Sequence, residues 1–323
     1  MTSRSVLVKV PATVGNFAGA VGCAALALDA TFNLKVTPRR DGRAGIRYFG
    51  ENGERVPRDR SNLVVRAMEA ALHLKGLEFT GADFEVYSSV PVGIGLGSST
   101  AAVLAGLIAA DRLYSLGLNE KTVLDLARIY ESRLDNLLAA WRGGFIACAG
   151  EDYSQVVRRT FLPGDFTLGI VNPEFAAKGA DATARGPADP AGPDVSLHRD
   201  RARALAALFA RPGGRGVSVL ETAAPAMPRT IAPGLEEVLK VRTAGVMDVF
   251  VCGSGPAVGI LSRRDPDEAI RAVRQRFLEF GVQSTFGTFR PANLGALELN
   301  PAAPHITIPA CLATERQSNL PAS

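Results

Sequence analysis

A chain of 323 residues, 47% hydrophobic and 21% charged, is long enough for two cores and too evenly mixed to be disordered or fibrous. Its formal net charge is +4 with six lysines among 36 basic residues and no Lys/Arg run of the nucleic-acid kind, so the mild excess fits an anionic small molecule at least as well as a polymer. Four scattered cysteines without a C-x-x-C pair and three histidines argue against a zinc site or a disulfide framework, and no signal-peptide core or apolar run of about 18 residues occurs, which predicts a cytoplasmic protein.

In chain order, residues 6–10 read as a strand ended by Pro11, followed by a small-residue loop from Ala12 to Ala20 that carries Asn16. An asparagine in such a loop faces a ligand or only tightens a turn. Further strands are expected over 29–36 and 45–49. A helix opens at Asn62 with Ser61 as its cap and turns Val65, Met68, Ala71 and Leu72 inward. A strand over 83–90 then leads into the stretch that organises the chain, Pro91-Val92-Gly93-Ile94-Gly95-Leu96-Gly97-Ser98-Ser99-Thr100. Behind it an alanine-rich helix runs from Ser98 to about Tyr114, with Ala101, Leu104, Ala105 and Ile108 at helical spacing.

A glycine loop that joins a strand to a helix N-terminus suits an anion. Free N–H groups and the positive end of the helix dipole face it, and glycine lets the backbone come close. The alternative is an ordinary turn with a serine cap. No Lys-Ser/Thr pair follows the last glycine, so this is not a Walker loop, and the third glycine comes one residue early for a dinucleotide fingerprint.

The next helix is expected from Asn119 or Glu120 through Leu124 and Ala127 to Glu131, which places Glu131 on the apolar stripe. A carboxylate there needs a cation or hydrogen bonds; otherwise it is a partly exposed helix-end acid. Asp135-Asn136 sits just beyond, as site residues or as a capping turn, ahead of an apolar helix over 137–141. Gly143-Gly144 then turns the chain into another strand. The Ala/Gly/Pro/Asp-rich segment 173–193 reads as a plain surface loop, with a lid as the alternative. Helices follow over 199–210 and 233–241, with a Gly/Arg turn over 212–216 between them. A strand over 248–251 ends in a second small-residue turn, Cys252-Gly253-Ser254-Gly255-Pro256-Ala257. A strand over 258–261, a helix started by Asp265-Pro266-Asp267-Glu268 and strands over 282–287 and 294–299 complete the pattern, and the tail from Pro301 is expected to be loosely held.

Three stretches, Val10-Pro11-Ala12-Thr13 through Asn16, Pro91 through Ser99, and Gly253-Ser254-Gly255-Pro256, together make the chain similar to the GHMP kinases over roughly residues 5 to 300. Glu131 followed by Asp135-Asn136 and Gly143-Gly144 makes it resemble the homoserine kinases in particular. The resemblance implies an α+β, two-domain GHMP kinase fold: a ribosomal protein S5 domain 2-like nucleotide-binding domain over 1–160, a ferredoxin-like domain over 161–300, and the tail 301–323.

It further implies an ATP-dependent kinase that phosphorylates the side-chain hydroxyl of L-homoserine in threonine biosynthesis, with ATP and Mg2+ as cofactors, no nucleic-acid or membrane partner, and a homodimer allowed. Pro91, Gly93, Gly95, Leu96, Gly97, Ser98, Ser99, Gly253, Ser254 and Gly255 would hold the nucleotide, Asn62 would touch adenine, and Ser98 with Glu131 would hold magnesium. Asn16 would orient the acceptor hydroxyl with Asn136 beside it, Asp135 would face the amino end, and Arg185 or Arg229 the carboxylate. This chain has Gly22 where the family carries an ammonium-binding aspartate and Arg133 where a histidine is usual. Another small hydroxylated metabolite as acceptor, or a GHMP-fold sensor without activity, are the competing readings.

Overall fold

The computed structural model describes residues 5–148, 156–174, 195–210, 232–263 and 265–299. Among the described residues the chain builds two sheets. The first takes β1 (Val6–Gly15), β2 (Ala24–Pro38), β3 (Ala44–Phe49), β4 (Ala82–Ser88), β5 (Phe145–Cys148), β6 (Val156–Thr160) and, from the far end of the chain, β11 (Leu297–Leu299). Its order is β11-β1-β2-β4-β3, with β5 pairing β2 and β6. Only β3 and β4 are parallel, joined by the crossover helix α1 (Leu63–Leu74).

The second sheet has β7 (Thr167–Glu174), β8 (Val246–Val251), β9 (Val258–Ser262) and β10 (Gln283–Phe289) in the antiparallel order β10-β7-β9-β8. Helices α5 (Val195–Phe209) and α6 (Leu235–Val238) fall between β7 and β8, and α7 (Asp267–Glu279) between β9 and β10. That succession of strands and helices is the ferredoxin-like pattern. The fold is therefore the α+β class that the motifs imply.

One helix sits at the centre of the first core. α2 (Ser98–Tyr114) is buried at eleven positions from Thr100 to Asp111, so it is apolar all round rather than amphipathic. Gly106 lets α1 approach it: a Cβ there would lie 2.4 Å from the Val64 carbonyl oxygen. α3 (Glu120–Ala127) and α4 (Leu134–Arg142) close the other side. A cluster of buried rings then joins the two sheets. Phe17, in the turn after β1, lies 5.0 Å from Phe250 on β8 and 5.7 Å from Phe145 on β5. Phe209 on α5 is 4.9 Å from Phe145 and 5.1 Å from Phe166. Edge-to-face packing of this kind adds to the area term and fixes the turn at Phe17.

Several local expectations are corrected. β1 does not stop at Pro11 but runs to Gly15, taking up the missing N–H with a register shift between Pro11 and Ala12. The cap of α1 is Asn62, not Ser61: its Oδ1 accepts from the Val64 N–H at 2.9 Å and its Nδ2 donates to the Pro57 carbonyl at 2.8 Å. α3 ends at Ala127, so Glu131 stands in the connection to α4 and not on a helix stripe. Asp135 and Asn136 lie inside the first turn of α4. Arg185, Arg229, the turn 212–216, the tail from Pro301 and all but the first two residues of 173–193 lie outside the described residues.

Candidate active site

The three small-residue stretches come together. Thr13 N–H donates to the Leu96 carbonyl at 3.1 Å, Gly253 N–H to the Gly15 carbonyl at 2.9 Å, and Ala257 N–H to the Ile94 carbonyl at 3.3 Å. Asn16 Nδ2 adds a bond to the Gly253 carbonyl at 2.9 Å. The end of β1, the glycine loop and the turn after β8 thus form one hydrogen-bonded unit at the N-terminus of α2.

Glycine is required in it. Gly93, Gly95 and Gly97 have φ of +83°, +90° and +72°. At Gly95 a Cβ would stand 2.1 Å from the Cys252 carbonyl oxygen, and at Gly97 one would stand 2.1 Å from Thr13 Oγ1. Gly97 precedes α2 with no side-chain cap, so the first N–H groups of a buried helix are left to whatever lies outside. Pro91 and Leu96 are buried under the loop, Ser98 is half-buried in the first turn, and Ser99 and Ser254 are exposed.

Glu131 reaches this helix end. Its Oε2 accepts from Thr100 Oγ1 at 2.7 Å, and its Oε1 accepts from the Arg133 N–H at 3.1 Å, with the Arg133 guanidinium 3.7 Å away. Arg133 also borders the second turn, 3.4 Å from where a Gly253 Cβ would be. Arg133 therefore brings a fixed positive charge to the cleft.

Asp135 and Asn136 complete the floor. Asp135 is fully buried and accepts from the Asn136 N–H at 2.9 Å and the Asn16 N–H at 3.4 Å. Burial pushes its carboxyl up to about 6, against the pull of the Arg133 charge and the two N–H groups. A carboxyl whose folded pKa exceeds its unfolded one contributes stability that is present at low pH and lost as pH rises from about 4 through about 6. Asp135→Asn cannot ionise, but it accepts only one of the two N–H groups, so it is expected to gain on wild type by on the order of 3 kcal/mol as pH rises from about 4 to about 8. Thermal unfolding of both proteins across that range checks it, and a stability difference that stays constant over the range contradicts it. Asn136 is 1% exposed and its amide lies against Gly15, where a Cβ would come within 2.6 Å of Oδ1.

The loop after Asn16 folds back on itself. Gly22 N–H donates to Asn16 Oδ1 at 2.9 Å, so both ends of the Asn16 amide already hold backbone. α5 clamps this loop from the second half of the chain. Arg201 Nε donates to the Ala18 carbonyl, its Nη2 lies 3.5 Å from Asp248 Oδ2, and His198 Nδ1 sits 3.3 Å from Val21 N and 3.2 Å from the Gly19 carbonyl. Thr13 and Thr100 lie inside the quoted small-residue stretches without being singled out there, and His198, Arg201 and Asp248 carry no sequence signal of their own, because their partners lie far along the chain. Asn62, by contrast, was legible but is committed to capping α1.

The geometry agrees with what the chain is similar to. The GHMP kinases N terminal domain family matches residues 62–144. A homoserine kinase from Streptomyces coelicolor is 31% identical over 293 residues, covering 84% of this chain and 89% of that one. One from Carboxydothermus hydrogenoformans is 29% identical, covering 91% and 97%. The crystal structure of a homoserine kinase from Cytophaga hutchinsonii superimposes with a TM-score of 0.74 at 22% identity over 93% of this chain and 98% of its own. With overall likeness and local geometry in agreement, the chain belongs to the homoserine kinase family of the GHMP kinases.

Proposed function

We propose that this protein transfers the terminal phosphoryl group of ATP to the side-chain hydroxyl of L-homoserine, giving O-phospho-L-homoserine and ADP, a step of threonine biosynthesis. The observation that carries this reading is the convergence of three glycine-bearing turns on the uncapped start of α2, with Glu131 and Asp135-Asn136 beside it. Phosphoryl transfer asks for positioning and charge neutralisation more than for covalent chemistry, and the cleft offers both.

In this reading residues 91–99 and 253–255 wrap the phosphates with backbone N–H groups, and the Arg133 guanidinium offsets charge at their open side. The division into a nucleotide-binding unit over 1–160 and a second unit over 161–300 rests on the two sheets, with β11 returned to the first of them. Ser98 and Glu131 are the metal ligands of the proposal. Their hard oxygens fit magnesium, which takes few protein ligands and completes its shell with phosphate and water. When bound, the ion neutralises the phosphate oxygens.

Asn16 fixes the acceptor turn, and Asn62 fixes the start of α1 at the adenine side. Asn136 meets the acceptor hydroxyl; an amide takes no proton, so the hydroxyl attacks directly and its proton passes to an oxygen of the transferred group. Asp135 is the carboxylate left for an ammonium, since Gly22 supplies none. Arg185 or Arg229 remain the proposed carboxylate anchors. A cytoplasmic location is part of the same proposal.

Gly22 also favours a second reading, in which the acceptor is another small alcohol. ADP release with a panel of L-homoserine, L-serine, L-threonine and simple polyols separates them. Turnover of L-homoserine at least tenfold above the rest is expected. Turnover of another alcohol alone would move the substrate, and nucleotide binding with no turnover of any acceptor would leave a sensor.

A further inference from the structure

Two side chains of the cleft hold polar atoms that are buried and without a hydrogen-bond partner among the described residues: Thr13 Oγ1, and both amide atoms of Asn136. Thr13 is 0% exposed. A buried polar atom left unpaired costs about 1–3 kcal/mol, and valine has the same shape as threonine without the hydroxyl. The packing alone gives no reason for oxygen at this position.

The location supplies one. Thr13 and Gly15 are two apart on β1 and so face the same side of the strand. On that side the Asn136 amide fills the space over Gly15, while Thr13 Oγ1 lies where a Gly97 side chain would begin. Gly97 is the residue before α2, whose start has no side-chain cap. An unpaired hydroxyl therefore stands at the same helix end as the unpaired N–H groups, next to an unpaired amide. Within the described residues these groups do not satisfy one another.

The geometry points to Thr13 as a further catalytic residue, whose hydroxyl donates a hydrogen bond to an oxygen of the terminal phosphoryl group as it is transferred. The inference rests on the kinase reading above and goes beyond it. The helix end selects an anion for the Thr13 side of the strand, and the Asn136 amide suits the neutral acceptor hydroxyl on the Gly15 side. Thr13 forms no bond that breaks in the reaction; it offers a fixed donor where negative charge gathers.

Thr13→Val and Thr13→Ser decide it. The valine variant is expected to melt at or above the wild-type temperature without ligand, because it buries no unpaired oxygen. Its affinity for ADP stays within twofold of wild type, and its turnover falls on the order of 100-fold. The serine variant retains turnover within fivefold. The extra thermal stabilisation that a non-hydrolysable ATP analogue gives over ADP shrinks in the valine variant and persists in the serine one. Wild-type turnover by the valine variant overturns the assignment. So does an equal loss of ADP and analogue affinity, which would mark damage to the loop rather than a lost phosphoryl contact. The comparison of ADP with the analogue needs no acceptor. It tests Thr13 even if wild type turns over nothing in the acceptor panel, a result that sinks the kinase reading by itself.

Discussion

Glu131→Gln is expected to lower turnover about a thousandfold, on the order of 4 kcal/mol of transition-state stabilisation, while leaving the fold intact. The side chain is 14% exposed and held at two points, by Thr100 Oγ1 and by the Arg133 N–H. Glutamine keeps an oxygen for the Arg133 N–H and can donate from its NH2 to Thr100 Oγ1, so both contacts survive and the charge is what is lost. If Glu131 merely tied the α3–α4 connection to α2, the variant would melt lower and still turn over. If it holds a divalent ion against the phosphates, the melting temperature stays and turnover goes. Steady-state turnover at saturating magnesium, read beside a melting curve, separates the two; an unchanged rate would remove Glu131 from the metal site.

Gly95→Ala is the second change with a large expected effect. Its φ of +90° is unfavourable for any L side chain, and its Cβ would stand 2.1 Å from the Cys252 carbonyl oxygen. That oxygen already accepts from the Gly255 N–H at 2.7 Å, so it cannot move without opening the second turn. The glycine loop must part from residues 252–255, and ATP affinity is expected to fall at least 30-fold, about 2 kcal/mol. Gly93→Ala is the control. Its φ is also positive, at +83°, but the nearest atom to its Cβ is the exposed Arg55 guanidinium at 3.8 Å. It carries the backbone strain of about 1–2 kcal/mol without the collision, and affinity should fall less than tenfold. Calorimetric titration of ATP into both variants checks the difference, and equal losses would contradict the docking of the loop on the second turn.

The elements that sequence announced best are those with a local cause. α2 runs over Ser98–Tyr114 as the alanine-rich period demands, and the strand–glycine–helix order around it is as expected. Boundaries that depend on tertiary pairing were less legible. Pro11 reads as a strand end, yet β2 continues alongside it and a register shift carries β1 on to Gly15. Glu131 reads as the third member of a helical stripe with Leu124 and Ala127, but the helix ends at Ala127 and tertiary bonds to Thr100 and Arg133 set its place. Asp135-Asn136 resembles a turn before a helix because both residues favour caps. Burial against β1 draws them into the first turn of α4 instead.

Of the candidate site, the glycine turns, Glu131 and the Asp-Asn pair are visible as motifs, because backbone approach and anion binding restrict residue type locally. Thr13 lies in the first of the small-residue stretches, but nothing there marks its hydroxyl until it proves to have no partner among the described residues. The clamp of Arg201 and His198 on residues 18–21 is not visible, because its bonds cross more than half of the chain. The charged ion pair of Arg201 with Asp248 is buried beneath that loop, and a buried pair of this kind serves placement better than net stability.

The phosphate seat itself is open to a single direct measurement, a crystal structure of the protein grown with ADP and magnesium. Phosphate oxygens are expected within hydrogen-bond distance of backbone N–H groups between Gly95 and Ser99, with Glu131 facing the same ion. Phosphates seated elsewhere, with those N–H groups turned to solvent, would contradict it.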